Sequence, residues 1–327
     1  MNFETIRLEK GMYNVPGGIT AALEQLDPSE NYKDTPLAGL DAYQRQLKRF
    51  GIKVAGSDSD VIAKFFSTTD SAALFPEFIS RAVATGVTEE NLLPEIVATT
   101  THIDSIDYRS IVSDISKEDK SLQEVEEGAV IPETSVSTRE NLVTLKKRGR
   151  MLTASYEALK FQRLDLFTVT LKQIGAYIAR QQFDDAVSVL LTDAKNVNAD
   201  LTALSYGDFI NLWNELDPYH LNTLIASPEM VKNMLSLSEF KNPQTGMNFI
   251  GTGNLSTPVG ARMFKSDKVE FNQMLAMDKN YALEMVIAQD VMVDYDRLID
   301  RQLERAAITT IAGFSKIFNE AVCTLTV

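Results

Sequence analysis

Residues 166–194 constrain the fold of this chain more than any other stretch. Apolar side chains recur at Phe167, Leu171, Ile174 and Ile178 and continue as Phe183, Val187 and Leu190, the spacing of one helix face. Asp165 stands where a cap would satisfy the first free amides. The pattern predicts one helix from Leu166 to about Ala194, roughly 29 residues and about 43 Å at 1.5 Å per residue. Gly175 inside it weakens the helix and marks a point of close packing. A helix this long, stopping at Asn196-Val197-Asn198, can brace a whole domain.

Just ahead of the helix, residues 108–150 change character. Alternating stretches at Leu142–Leu145 and Met151–Thr153 predict strands, punctuated by Gly128, Pro132 and Gly149. We read a long hairpin with its tip near Gly128–Thr138. Its ascending side carries Asp114, Glu118, Asp119, Glu124, Glu126 and Glu127; its descending side carries Arg139, Lys146, Lys147, Arg148 and Arg150. Two solvated strands pairing with each other account for this charge split. A complementary patch on an adjacent subunit accounts for it equally, because an isolated two-stranded hairpin is marginal in water.

Residues 1–60 read as an extended arm with little core of its own, interrupted by Pro16-Gly17-Gly18 and Asp27-Pro28-Ser29. A short helix near Leu37–Phe50 places Leu40, Tyr43, Leu47 and Phe50 on one apolar stripe. Such a stripe needs a surface, in the same chain or in a neighbour. A second short helix is expected over Ala72–Ala84, then a strand over Ile96–Thr101.

From residue 205 the pattern is α/β. Ser205–Leu216 predicts a helix with Phe209, Leu212, Trp213 and Leu216 inward, and Thr223–Ala226 a buried strand. Ser227-Pro228-Glu229 then opens another helix with Ser at the cap and Pro at the first position. Lys241–Gly260 is a glycine-bearing loop, and Val259–Phe264, Leu283–Val293 and the apolar tail Ile308–Val327 are strands.

At 327 residues the chain exceeds what one hydrophobic core usually serves, so two lobes or more are expected. A net charge of -13 argues against a protein that grips nucleic acid by its phosphates. The one cysteine, Cys323, cannot form an internal disulfide, which suits a reducing compartment. The first ten residues lack the layout of a signal peptide, and no apolar run approaches the roughly 20 residues of a membrane span.

No catalytic, cofactor or metal site is read from the residues. His102 and His220 stand far apart with no metal-ligand spacing. Gly251-Thr252-Gly253 begins a dinucleotide fingerprint, but Ser256 takes the place of its third glycine. The acidic group Asp290, Asp294, Asp296 and Asp300 could face one side of a strand and hold a hard cation. A solvated or interface face explains it more simply.

The most specific stretch runs from Glu127-Gly128-Ala129-Val130-Ile131-Pro132-Glu133 through Leu145-Lys146-Lys147-Arg148-Gly149-Arg150 to Ser155-Tyr156-Glu157-Ala158-Leu159. It then meets the long helix containing Gln181-Gln182-Phe183-Asp184-Asp185-Ala186. This order resembles the major capsid proteins of tailed bacteriophages with the Hong Kong 97 fold. Leu204–Phe209, Ala226–Met230 and Asn254–Phe264 follow in the family's order, so the resemblance covers roughly residues 95–327.

The resemblance implies an α+β chain of five parts. Residues 1–60 would be the N-terminal arm, 61–108 a lead-in, and 109–150 the extended loop over a neighbour. Residues 151–204 would be the peripheral domain with its spine helix, and 205–327 the axial domain with returning peripheral strands. Subunit contacts would then involve Glu124, Glu126, Glu127, Arg139, Lys146, Lys147, Arg148 and Arg150, together with the stripe Leu40, Tyr43, Leu47 and Phe50. Lys241, Asn242, Gln244, Thr245 and Asn248 would line the capsomer axis.

Implied partners are other copies of the chain in hexamers and pentamers, a separate scaffolding protein, a portal, a decoration protein, and double-stranded DNA touched weakly; no membrane is involved. The shell would assemble in the bacterial cytoplasm and end up in the virion. The predicted tip has no lysine, so no covalent cross-link between subunits is expected. An encapsulin-type nanocompartment shell or another virion component are the competing readings.

Overall fold

The structure is a computed structural model that describes residues 3–15, 17–112, 124–125, 127, 137–155, 161–198, 204–241, 259–298 and 303–327. Its principal helices are α1 Gly18–Leu26, α2 Ala42–Arg49, α3 Phe75–Glu90, α4 Leu164–Leu191, α5 Tyr206–Glu215 and α6 Pro228–Leu235. The strands are β1 Thr99–His102, β2 Ile111–Val112, β3 Ser137–Thr138, β4 Leu145–Ser155, β5 Lys195–Asn198 and β6 Thr223–Ala226. They continue with β7 Arg262–Lys265, β8 Gln273–Met277, β9 Leu283–Leu298, β10 Leu303–Lys316 and β11 Val322–Thr326.

The chain divides into two compact units. One comprises residues 1–90, 147–179 and 290–310; the other comprises 91–146, 180–289 and 311–327. Of the residues from 205 onward, 290–310 belong with the first unit, together with the first part of α4, and the others with the second.

In the first unit, apolar residues of α1, α2, α3 and α4 share one core with Ala306 and Ile308. Its middle is aromatic: the Phe75 ring lies 5.4 Å from Phe65, 5.0 Å from Phe66 and 6.2 Å from Phe167. Offset and edge-on rings at these separations add to their area burial.

Residues 3–60, expected as an extended arm, are folded into this core. Ile6, Leu8, Ile19, Leu23, Tyr43, Leu47 and Ile52 are all buried in it. The cause lies in polar residues that the composition did not flag: Arg45 is wholly buried and bonded to Asp27, which closes the turn between α1 and α2. Asp41 caps α2 in a reciprocal box with Gln44.

The second unit is built on a five-stranded sheet ordered β5-β11-β8-β6-β7. Strand β6 pairs in parallel with β7 and antiparallel with β8, through Leu224 opposite Met263 and Ala276. Alternate residues belong to different cores: Ile225, Leu275, Met277 and Val322 to one, Leu224, Ala226, Met274, Ala276, Cys323 and Leu325 to the other. Both faces are therefore covered, as the two-residue period of a strand requires. Cys323 is a small core residue, and burial pushes its thiol up to about 12.

Three local expectations are corrected. Gly149 does not break a strand; it sits inside β4, where a side chain would meet the Ile308 carbonyl at 2.7 Å. Trp213 is 55% exposed instead of inward, while Phe209, Leu212 and Leu216 are buried. Strand β9 also runs on to Leu298, past the expected Val293.

Candidate assembly and binding surfaces

The base of the predicted hairpin is anchored by a buried carboxylate. Glu284 on β9 is 5% exposed and accepts hydrogen bonds from Thr101 Oγ1 at 2.6 Å, Tyr108 Oη at 2.6 Å and Ser110 Oγ. Its hydrogen bond holds the Tyr108 phenol above its ordinary range, with burial adding to the shift. The two sides of the hairpin then pair: Ile111 faces Thr138, Val112 faces Ser137, and Val143 N donates to Tyr108 O at 2.9 Å. At its base, the ascending and descending sides meet each other. Residues 128–136 of the tip lie outside the described residues.

Of the acidic interface candidates, Glu124 and Glu127 are exposed and Glu126 is outside the described residues. On the basic side, Lys147 and Arg150 are exposed, and Arg148 is half-buried. Lys146 bonds to Asp185 of α4 at 2.8 Å. The axis-loop candidates Asn242, Gln244, Thr245 and Asn248 fall outside the described residues, and Lys241 ends a one-turn helix. Asp290, Asp294 and Asp296 lie along β9, where Asp296 pairs with Arg305 at 2.7 Å; Asp300 is outside the described residues.

The arm stripe is corrected. Tyr43 and Leu47 are 2% and 6% exposed inside the chain's own core, and Phe50 packs against the same core. The surface this stripe covers is the first unit itself, so Tyr43 and Leu47 are not available to a neighbouring subunit. Leu40 is half-buried, and its carbonyl accepts from Arg45.

A cleft of about 410 Å³ in the second unit gathers two of the basic contact candidates, Arg139 and Lys146, with residues that sequence reading did not single out. The descending loop side contributes Arg139, Asn141 and Lys146, the end of α4 and its turn Asp185 and Asp193, and β10 Ser315 and Lys316. Lys316 is 5% exposed, and its ammonium donates to the Thr192 carbonyl. Burial lowers its amine to about 8; Asp193 opposes the shift and Arg139 adds to it.

Lys316 stays protonated in the unfolded chain up to its ordinary 10.5, while the folded chain releases the proton near 8. Between those values the unfolded state binds more protons, so this residue makes folding more favourable as pH rises. Urea denaturation at pH 7.5 and 9.5 should show Lys316→Met losing that gain relative to the parent chain. An unchanged difference at the two pH values would contradict it.

A family profile described as phage capsid protein matches residues 139–279. No curated protein sequence matches the chain. Among solved structures, the capsid of a native GTA particle superposes with a TM-score of 0.55 at 13% identity, covering 74% of this chain and 90% of that one. Gordonia phage Cozz gives 0.53 at 15% identity over 72% of this chain and 86% of its own. A virus-like particle from Pyrococcus furiosus gives 0.52 at 14% identity, over 76% and 98%. The chain has the Hong Kong 97-type fold of phage capsid proteins.

Within that fold, the profile begins at Arg139 on the descending side of the hairpin and takes in all of α4, whose 28 residues were the clearest sequence signal. One missed residue did leave a trace. In β10 the residues Ala306, Ile308, Thr310, Ala312 and Phe314 are buried at every second position, and that period assigns Lys316 to the same inward face. Glu284 heads the predicted strand 283–293, with nothing in sequence pointing to its three hydroxyl partners.

Proposed function

We propose that the chain is the major shell subunit of a tailed-phage head, closing through hexamers and pentamers into an icosahedral container for double-stranded DNA. The observation that carries this is the extent of the likeness: the fold spans 90% of the GTA capsid subunit and 86% of the Gordonia phage protein. Ring symmetry needs head-to-tail contacts, so each subunit must offer two different complementary surfaces. The exposed Glu124 and Glu127 on one side of the hairpin and Lys147 and Arg150 on the other supply charge of both signs for such contacts.

In this reading, residues 109–150 reach over a neighbour, α4 is the spine of the peripheral domain, and the lobe from residue 205 surrounds the capsomer axis. A scaffolding protein guides closure in the host cytoplasm, a portal occupies one vertex, and a decoration protein can bind outside. The net charge of -13 suits a wall along which packaged DNA slides with weak contact. A second reading, an encapsulin-type nanocompartment shell, is favoured by the 98% coverage of the Pyrococcus furiosus virus-like particle.

Electron microscopy of the purified, concentrated chain, alone and with a co-expressed scaffold, tests both readings. Uniform closed shells, or rings of six and five, are the expected result, and shell diameter separates a phage head from a small compartment. A monomer under every condition would overturn the shell assignment.

A further inference from the structure

The cleft beside Lys316 holds more cation than its own carboxylates balance. Arg139, Lys146 and Lys316 face Asp185 and Asp193, and Asp185 is engaged by Lys146 at 2.8 Å. Lys316 is almost wholly buried, yet its hydrogen-bond acceptor among the described residues is the neutral Thr192 carbonyl. Arg139 donates from Nη2 to the Lys316 carbonyl at 2.8 Å, while its Nε is buried with no acceptor among the described residues. A buried cation whose bonded acceptor is a neutral carbonyl, with Asp193 acting on it only at longer range, next to a buried donor without an acceptor among the described residues, is costly unless a negative group completes both. The excess of positive charge is also local, in a chain whose net charge is -13.

We propose that this cleft is an oxyanion site, in which Lys316 and Arg139 together hold one carboxylate or phosphate group. The compact ammonium supplies a point charge and the guanidinium a directed donor, a combination suited to a group bearing two or more oxygens. The side-chain amides of Asn141 and Asn319 line the same cleft and can donate to a further oxygen. Two sources share this chemistry: a free inorganic anion, or an acidic side chain from another copy of the chain. The site is a property of the single subunit, so it stands or falls separately from the shell reading.

The test uses unassembled full-length subunits, melted in sodium phosphate and in sodium chloride of equal ionic strength. Phosphate should raise the melting temperature beyond chloride, and titration calorimetry should show binding that Lys316→Met weakens roughly tenfold or more, the loss of one charged hydrogen bond. Arg139→Gln should weaken it too and serves if Lys316→Met does not fold, whereas Lys147→Gln, on β4 beside the cleft residue Lys146 but not itself lining the cleft, should leave it unchanged. The response should fade as pH rises past 8, where Lys316 loses its charge; the charged groups facing it are Arg139, Lys146, Asp185 and Asp193.

Repeating the titration on assembled particles separates the sources. A response lost on assembly means that a neighbour's carboxylate fills the cleft, and a response retained means a free anion does. Equal melting in phosphate and chloride, or an undiminished response in both variants, would overturn the proposal.

Discussion

Replacing Arg45 with methionine is expected to destabilise the first unit by about 3–5 kcal/mol, the range for breaking a buried ion pair from one side. Arg45 and Asp27 are 0% and 1% exposed. The guanidinium donates from Nε to Asp27 Oδ2 at 2.7 Å, from Nη2 to the Asp27 carbonyl at 2.5 Å, and from Nη1 to Leu40 O at 2.7 Å and Ser29 Oγ at 2.9 Å. It also lies 4.4 Å from the centre of the Tyr32 ring. One side chain thus ties together the end of α1, the following turn and the approach to α2. Methionine fills much of the volume but leaves the Asp27 carboxylate buried with the Tyr32 hydroxyl, at 2.6 Å, as its remaining side-chain donor. The double variant Asp27→Leu/Arg45→Met removes the stranded charge and should recover most of the loss. Urea denaturation of the three chains gives the answer, and a single-variant cost below about 1 kcal/mol would contradict the argument. Arg45→Lys should fare little better than methionine, because an ammonium cannot reach acceptors spread across a planar fork.

This residue also shows where the sequence stopped being legible. Helices α4, α5 and α6 were readable from their apolar period, and α6 from its cap as well, since Ser227 accepts from Met230 N at its start; Asp165, expected to cap α4, lies inside its first turn instead. Strand β6 was readable because four consecutive apolar or β-branched residues sit between turn signals. Residues 3–60 were not, because their fold depends on Asp27, Arg45 and Gln46, charged and polar residues that a pattern-based reading assigns to solvent. The hairpin base has the same character: its anchor, Glu284, is buried and satisfied by three hydroxyls contributed from 174 to 183 positions away in sequence. Gly149 misled for a related reason, since a glycine that admits a neighbouring backbone looks in sequence like one that ends a strand. The order of motifs nonetheless led to the capsid fold, because that order depends on the strands and helices that were readable.

Gly175→Ala should destabilise the first unit by about 2 kcal/mol or more, although alanine is the better helix former. Where α3 and α4 touch, each presents a glycine to the other's backbone. A Cβ built on Gly175 would stand 2.1 Å from the Val83 carbonyl oxygen and 2.7 Å from Val87 N. One on Gly86 would stand 2.1 Å from the Lys172 carbonyl oxygen. These obstacles are backbone atoms, so no rotamer change relieves them; the helices must move apart. Separation would loosen the packing around Phe75, Phe78 and Phe167, whose stacked rings lie 6.2 and 6.4 Å apart across the same pair of helices. The intrinsic gain from Gly to Ala, up to about 1 kcal/mol, is too small to offset that. Gly86→Ala should behave alike, and the double variant should cost less than the two singles together, because one displacement of the helices accommodates both methyl groups. Gly207 near the start of α5 is the control: its nearest neighbour to an added Cβ is Ser205 Oγ at 3.5 Å, so Gly207→Ala should be neutral or stabilising. If Gly175→Ala also proved neutral, the close approach of the two helices would not be what fixes α4 in the first unit.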